Sequence, residues 1–177
     1  MRKAIVTSVV ASLIGSGVLA APAAARAADT PATFELDPGV LTLTVPTQSV
    51  ALDTVTVGVS SVSGQLGTVS VDDERGLLSG SWRITVVSSA FVGDTTGVTI
   101  AASNVAYTPG NPTATSGTAD FTAGTAGEAI DSPQTAYSAA HEQGSAGISW
   151  DPTITITLPS AGQVADTYSG TITHSIA

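Results

Sequence analysis

The sequence predicts an all-β fold, an immunoglobulin-like antiparallel β-sandwich. Apolar side chains recur at every second position along much of the chain, and Pro and Gly residues that favour turns separate these stretches at short intervals. No stretch of roughly eleven or more residues carries the apolar stripe of a helix. The spacing of the alternating segments indicates about seven to ten short strands, a number typical of such sandwiches.

Four segments show the alternation most clearly, each with one apolar face and one small or polar face. They are residues 54–59, 82–86, 153–158 and 168–176. Further strands are predicted at residues 34–37, 40–45, 66–71, 97–102, 119–122 and 147–150.

Two stretches lack clean alternation and are predicted to be loops. Residues 109–117 are rich in Pro, Gly, Thr and Asn, and residues 123–147 carry several acidic and amide side chains. The second stretch is long for a connection, so it is either a functional excursion or a poorly ordered surface loop. The surface loop is the favoured alternative.

The N-terminus has the layout of a secretory signal peptide. Arg2 and Lys3 precede an apolar stretch, which is followed by small residues that include the triplet Ala25-Arg26-Ala27. We therefore expect residues 1–27 to be cleaved as a signal and residues 28–177 to form a single domain. Ser and Gly interrupt the apolar stretch and no basic stop-transfer cluster follows, so no membrane span is expected after cleavage.

Charge and composition restrict the partners of the exported chain. The full sequence carries 14 acidic and 5 basic residues, a formal net charge of −9. Signal cleavage removes Arg2, Lys3 and Arg26 and takes the charge to −12, which leaves no basic patch for nucleic acid. Because the chain has no cysteine, disulfides, thiolate metal sites and cysteine nucleophiles are excluded. We expect a secreted protein, extracellular or associated with a cell wall.

No motif for catalysis or for a cofactor is recognisable, so the sequence predicts neither an enzyme nor a bound cofactor. The densest charge cluster, Asp72-Asp73-Glu74-Arg75, follows a predicted strand. Its carboxylates are weak candidates for a Ca²⁺ site, since calcium prefers several oxygen ligands. The favoured alternative is an acidic surface turn in which Arg75 pairs with one carboxylate.

The few aromatic side chains are expected to matter for packing. Trp82 lies on the apolar face of its strand and is predicted to belong to the core. Trp150 lies at the beginning of its predicted strand, beside Asp151, and could lie at the rim of the sandwich. His174, alone on an apolar face, is expected to be a packed, hydrogen-bonded ring rather than a base or a ligand.

Two segments resemble the paired signatures of WxL-domain cell-surface proteins, in a form like that of actinobacteria. In the first, Trp82-Arg-Ile84 follows an acidic strand end, with Ile84 where the family has Leu. The second resembles Tyr-x-x-x-Leu-Thr-Trp-x-Leu, and its matching residues are Tyr168, Ile172, Thr173, His174 and Ile176. Here His174 replaces the tryptophan. Residues 100–110 and Trp150-Asp151 resemble the region between the signatures.

The resemblance implies a secreted β-rich module that associates non-covalently with the Gram-positive cell wall, with peptidoglycan as the presumed ligand. It also implies that the matching residues of both signatures take part in binding, although the missing second tryptophan departs from the pattern. Two other functions stay open: a self-assembling or adhesive surface subunit, because strands with few charges expose edges that can pair, and a glycan-directed hydrolase. The expected partners are cell-wall polymer or other surface proteins.

Overall fold

The computed structural model describes residues 30–177. Contacts divide the chain into two compact units, Met1–Glu35 and Leu36–Ala177. The described part of the first unit, residues 30–35, is exposed and has no regular secondary structure. The predicted signal peptide at residues 1–27 and the predicted domain start at residue 28 lie outside the described residues.

The second unit is built from antiparallel strands and one short 3-10 helix at Ala102–Asn104. The strands are β1 (Leu41–Thr44), β2 (Ser61–Gln65), β3 (Val69–Leu77), β4 (Gly80–Ser88), β5 (Phe91–Gly93), β6 (Thr99–Ile100), β7 (Val105–Thr108), β8 (Pro112–Ala123), β9 (Glu128–Ala129), β10 (Gln134–Trp150), β11 (Thr153–Thr157), β12 (Tyr168–Ser169) and β13 (Ile172–Ile176). The all-β antiparallel class predicted from the alternation is thereby confirmed.

The strands form three sheets. The largest contains β1, β3, β10, β4 and β13 in that pairing order, with β8 paired to β10. A second sheet has the order β2-β11-β7-β9, and a small third sheet has the order β12-β5-β6. The side chains of the two larger sheets meet in one apolar core.

The large sheet is organised around β10, the longest strand. β3 pairs with the C-terminal half of β10, with Val69 opposite Trp150, and β4 pairs with the N-terminal half, with Val86 opposite Gln134. Because β8 pairs along both halves of β10, β3 and β4 lie end to end on its other side. β1 and β13 then flank β3 and β4, so β8 and the β1/β13 pair form opposite edges of the sheet.

Several predicted strands are confirmed by this arrangement. The segment 82–86 lies within β4, where Trp82, Ile84 and Val86 are buried and Arg83 is exposed. The segment 153–158 corresponds to β11, with Ile154 and Ile156 buried. The segment 168–176 is divided between β12 and β13, which belong to different sheets.

Two strand predictions are wrong. Residues 34–37 and 54–59 form no strand, although both alternate. Val57 is 62% exposed, and Gly58 adopts a φ of +103°, which turns the chain near the end of the second segment. Alternation alone does not make a strand, because the backbone also needs a neighbouring strand to pair with.

Both loop predictions are also wrong over most of their length. Residues 112–123 form β8 and residues 134–150 form β10, which is the central strand of the large sheet. β10 is rich in Ala, Ser and Gly, which have low intrinsic strand preference. Its small residues Ala136, Ala139 and Ala146 are buried, so tertiary packing rather than propensity makes this segment a strand.

Candidate functional site

The two signature segments lie side by side in the large sheet. β13 pairs antiparallel with β4, and the register places Ile176 opposite Ile84 and His174 opposite Val86. This pairing brings together residues that are far apart in the sequence. Ile84 is fully buried, while Ile172, His174 and Ile176 are partly buried on the same inward face of β13.

Two of the signature residues lie away from this inward face. Thr173 is exposed on the outer face of β13. Tyr168 belongs to β12, opposite Gly93 of β5, and its hydroxyl donates a hydrogen bond to the Val164 carbonyl at 2.9 Å. The structure therefore places Tyr168 outside the β4–β13 pair, and it places Thr173, which lies opposite Val87 in that pair, on the face away from Ile172, His174 and Ile176.

Trp82 is a core residue, as its position on the apolar face predicts. Its side chain is only 3% exposed, and its ring lies 6.2 Å from the ring of Phe121 of β8, centroid to centroid. Its indole N–H is buried and finds no hydrogen-bond acceptor among the described residues. Burial removes Trp82 from the set of residues that could stack against a ligand.

Trp150 is fully buried and starts a chain of hydrogen bonds across the core. Its Nε1 donates to the Tyr107 hydroxyl at 3.1 Å, and that hydroxyl lies 3.1 Å from Nε2 of His174. The Tyr107 oxygen accepts from Trp150, and of the two groups that contact this hydroxyl only the His174 imidazole can accept its hydrogen, because an indole N–H only donates. We therefore assign His174 Nε2 as the acceptor and Nδ1 as the protonated nitrogen.

Burial keeps this network uncharged. Desolvation lowers the pKa of His174 to about 4 from its ordinary value of 6.5. The pKa of Tyr107 is raised, mainly by burial. At neutral pH the site thus presents a neutral imidazole whose Nε2 is engaged by Tyr107.

An open groove of about 200 Å³ borders His174. We call it the His174 groove; one wall is the irregular segment 45–52, and the other walls come from several strands. Its lining residues are Val45, Pro46, Gln48, Ser49, Val50, Leu52, Leu66, Phe91, Ile154, Gly170, Thr171, Ile172 and His174. The groove has the mainly apolar lining with a few polar groups that is usual for a small-ligand site, and its volume lies below the roughly 300–1,000 Å³ of such sites.

The acidic cluster does not form the predicted surface turn. Asp72, Asp73 and Glu74 lie within β3, so their side chains alternate between its two faces. Asp73 is fully buried and accepts two hydrogen bonds from the Arg75 guanidinium, from Nε at 2.9 Å and from Nη2 at 2.7 Å. The predicted pairing of Arg75 with one carboxylate is correct, but the pair is internal to the sheet.

The same alternation argues against the weak calcium prediction. Asp72 and Glu74 are exposed on one face, whereas Asp73 points to the buried face, so the three carboxylates do not converge. Among the side chains that the structure describes, which leave out those of residues 141 and 142, no group of three or more His, Asp or Glu is arranged to hold a metal ion.

Comparison with known proteins gave no match to a protein-family model, to a curated protein or to a solved structure. The resemblance to WxL domains therefore rests on the signature residues themselves. Within the described range, no helix is long and apolar enough to cross a membrane.

Sequence reasoning missed two parts of this site. Tyr107 was expected only to pack, yet its hydroxyl joins the two sheets by bonding both Trp150 and His174. The groove wall at residues 45–52 was also not foreseen, because its contacts with distant strands leave no local pattern. The one available signal for Tyr107 was its polar group on a buried face, which usually requires a partner.

Proposed function

We propose that the protein is a secreted, non-catalytic cell-surface module that associates non-covalently with the Gram-positive cell wall, with peptidoglycan as ligand. The observation that carries the proposal is the pairing of the two WxL-like signatures on β4 and β13, next to an open groove. His174, the residue that departs most from the family pattern, is also the signature side chain that borders this groove together with Ile172.

The chemistry of the groove suits an uncharged saccharide. Apolar walls such as Val50 and Leu66 match the C–H faces and N-acetyl methyl groups of a glycan, and Gln48 and Thr171 supply polar groups at the same site. The strong negative charge of the chain opposes binding to anionic wall polymers. The glycan strands of peptidoglycan are uncharged, whereas its stem peptides carry both carboxylates and amino groups, so the groove is expected to contact the sugars.

The proposal is tested by sedimentation of the mature protein with purified peptidoglycan from which anionic polymers have been stripped. The wild-type protein should sediment with it at both low and high salt, because the groove contacts are mainly apolar. Thr171→Trp fills the groove from an exposed position and should weaken binding by about tenfold or more, equivalent to roughly 1.4 kcal/mol.

A matched control uses another exposed position at the same end of the chain. Ser175→Trp adds the same ring to β13, at a residue that does not line the groove, and should bind like the wild-type protein. Protein that stays in the supernatant at every salt concentration would show that wall association is wrong. Equal loss of binding in both variants would show that the binding surface is not the groove.

A further inference from the structure

A second pocket, different in character from the His174 groove, lies where β8 ends and β10 begins. It is open and has a volume of about 270 Å³. Apart from Ala123 and Gly124, the residues that line it carry polar side chains: Thr122, Thr125, Glu128, Gln134, Thr135 and Ser138. We call it the Glu128 pocket. Its hydroxyl, amide and carboxylate groups suit a hydrophilic ligand.

A β-bulge in β10 places two of these hydroxyls on one face of the large sheet. Thr135 lies opposite Thr85 of β4. Tyr137, two positions later, lies opposite Ile84, so β10 has one extra residue at this point. Because Ile84 is buried, Tyr137 points inward, whereas Thr135 and Ser138 both point outward. In a regular strand, residues three apart would point to opposite faces, so the bulge lets both hydroxyls line the same pocket.

The opposite wall of the pocket depends on a close crossing of the chain at Gly124. Its N–H donates to the Ala136 carbonyl at 2.9 Å, and a Cβ atom at this position would collide with the Thr135 carbonyl oxygen. Glycine therefore lets the chain pass this close to β10. The connection then leads to β9, whose first residue is the exposed Glu128. The pocket is thus lined by residues of both larger sheets.

Most of the polar side chains in the pocket are not engaged by the protein itself. Gln134 Nε2 donates to Ser132 Oγ at 3.3 Å. The other five polar side chains of the lining form no hydrogen bond or ion pair within the described part of the chain. They can therefore donate to and accept from a bound molecule. Polar groups that converge in one concave site fix the orientation of a ligand there.

Charge restricts the class of ligand that this pocket can take. Among the described residues that line it, Glu128 is the one with a charged side chain. Arg83 lies opposite Ser138 across the β4–β10 pair, but it does not line the pocket. The protein has a net charge of −9, so its field attracts cations and repels anions. A protonated amine can donate to the Glu128 carboxylate while hydroxyl groups of the same ligand pair with Thr and Ser hydroxyls.

We propose that the Glu128 pocket binds a small hydroxylated amine, of the size of one amino sugar ring. Its volume lies below the roughly 300–1,000 Å³ of sites for drug-sized ligands, so a single ring is the appropriate size. The pocket shares no lining residue with the His174 groove, so this binding does not depend on wall association.

An NMR titration of the isotope-labelled protein with D-glucosamine tests the proposal, at a mildly acidic pH where the amine of the sugar is protonated. The backbone amide signals of Gly124, Thr125 and Ser138 should shift and reach saturation. N-acetyl-D-glucosamine has the same ring with a neutral acetamide in place of the amine. It should bind in the pocket about threefold to fivefold more weakly, the difference expected from one exposed ion pair. Added salt should reduce this difference.

Two variants separate the role of Glu128 from that of net charge. Glu128→Gln keeps the size of the side chain and removes its charge, so it should bind the two sugars equally. Asp131→Asn is the matched control, because it removes the same charge from an exposed residue that does not line the pocket. This variant should keep the preference for D-glucosamine.

Three results would each overturn the proposal. They are pocket signals that do not shift with D-glucosamine, equal affinity of the wild-type protein for the two sugars, and an equal loss of preference in the two variants. The signals of Leu66 and Ile172 report the His174 groove instead. Failure of the wall-binding proposal is therefore distinguishable from failure of this one.

Discussion

His174 is a partly buried imidazole between the Tyr107 hydroxyl and an open groove, and this position makes its charge sensitive to folding. Burial lowers its pKa in the folded protein to about 4, below the ordinary value of 6.5. As the pH falls, the unfolded chain therefore takes up the proton first. Protonation also conflicts with the hydrogen bond from Tyr107, which requires an unprotonated Nε2.

We predict that this residue makes the free energy of unfolding depend on pH below neutrality. Its contribution is complete above pH 6.5 and is lost progressively as the pH falls from 6.5 to about 4, to a total of at most about 3 kcal/mol. Urea unfolding at several pH values should show this slope in the wild-type protein and a smaller slope in His174→Gln.

His141→Gln is the matched control, because the chain has two histidines and this variant retains His174. This variant should show the same dependence of unfolding free energy on pH as the wild-type protein. The comparison is made after subtracting the contribution of the carboxylates, which is the same in all three proteins. An NMR titration in which the folded His174 ring titrates near 6.5 would contradict the prediction.

Strand β3 contains an ion pair of which only the carboxylate is buried. The carboxylate of Asp73 is fully buried, and the Arg75 side chain is 29% exposed. The Arg75 guanidinium also donates to the Ser81 carbonyl at 3.0 Å, which links β3 to β4. The pKa of Arg75 is raised, chiefly by its hydrogen bond to Asp73.

We predict that Arg75→Leu destabilises the fold by about 1–3 kcal/mol. The substitution removes charge-assisted hydrogen bonds from a carboxylate that is buried in the sheet, and such bonds contribute about 1.5–3 kcal/mol, less where the cation is partly exposed as it is here. Equilibrium unfolding in urea measures the change. Arg83→Leu removes the same charge from an exposed position on β4 and should change stability by less than about 0.5 kcal/mol. Similar losses in the two variants would mean that net charge, not the pair, is responsible.

The strands differ in how far the sequence determines them. β4, β11 and β13 combine alternation with β-branched side chains, so both signals agree with the final structure. β8 and β10 have weak local preference and become strands because each has a long neighbour to pair with. Residues 54–59 have the opposite character, a strong local pattern without a pairing strand.

The site was less predictable than the fold for the same reason. The signatures identified β4 and β13, but their adjacency depends on a long-range register that no local pattern specifies. The Tyr107 bridge and the groove wall at residues 45–52 likewise arise from contacts between distant segments. Sequence periodicity indicates which side chains point inward, and it does not indicate which of them meet.

The charge balance of residues 28–177 should limit their stability. Within these residues, Arg75 and Arg83 are the only basic residues other than histidine, and Arg75 is already paired with Asp73. Most of the acidic residues therefore lie in a field of like charge, which favours expansion of the chain. Salt reduces this repulsion, because the Debye length falls from about 30 Å at 0.01 M to about 8 Å at 0.15 M.

We therefore predict that the unfolding temperature of a protein comprising residues 28–177 rises as sodium chloride increases over this range. The double variant Asp53→Lys/Asp131→Lys changes two exposed carboxylates and makes the charge four units more positive. It should unfold at a higher temperature than the wild-type protein in low salt and should respond less to added salt. Differential scanning calorimetry at a fixed, low protein concentration measures both effects without interference from association. The variant Asp53→Glu/Asp131→Glu preserves the charge and should behave like the wild-type protein, so an equal gain in the two variants would refute the role of net charge.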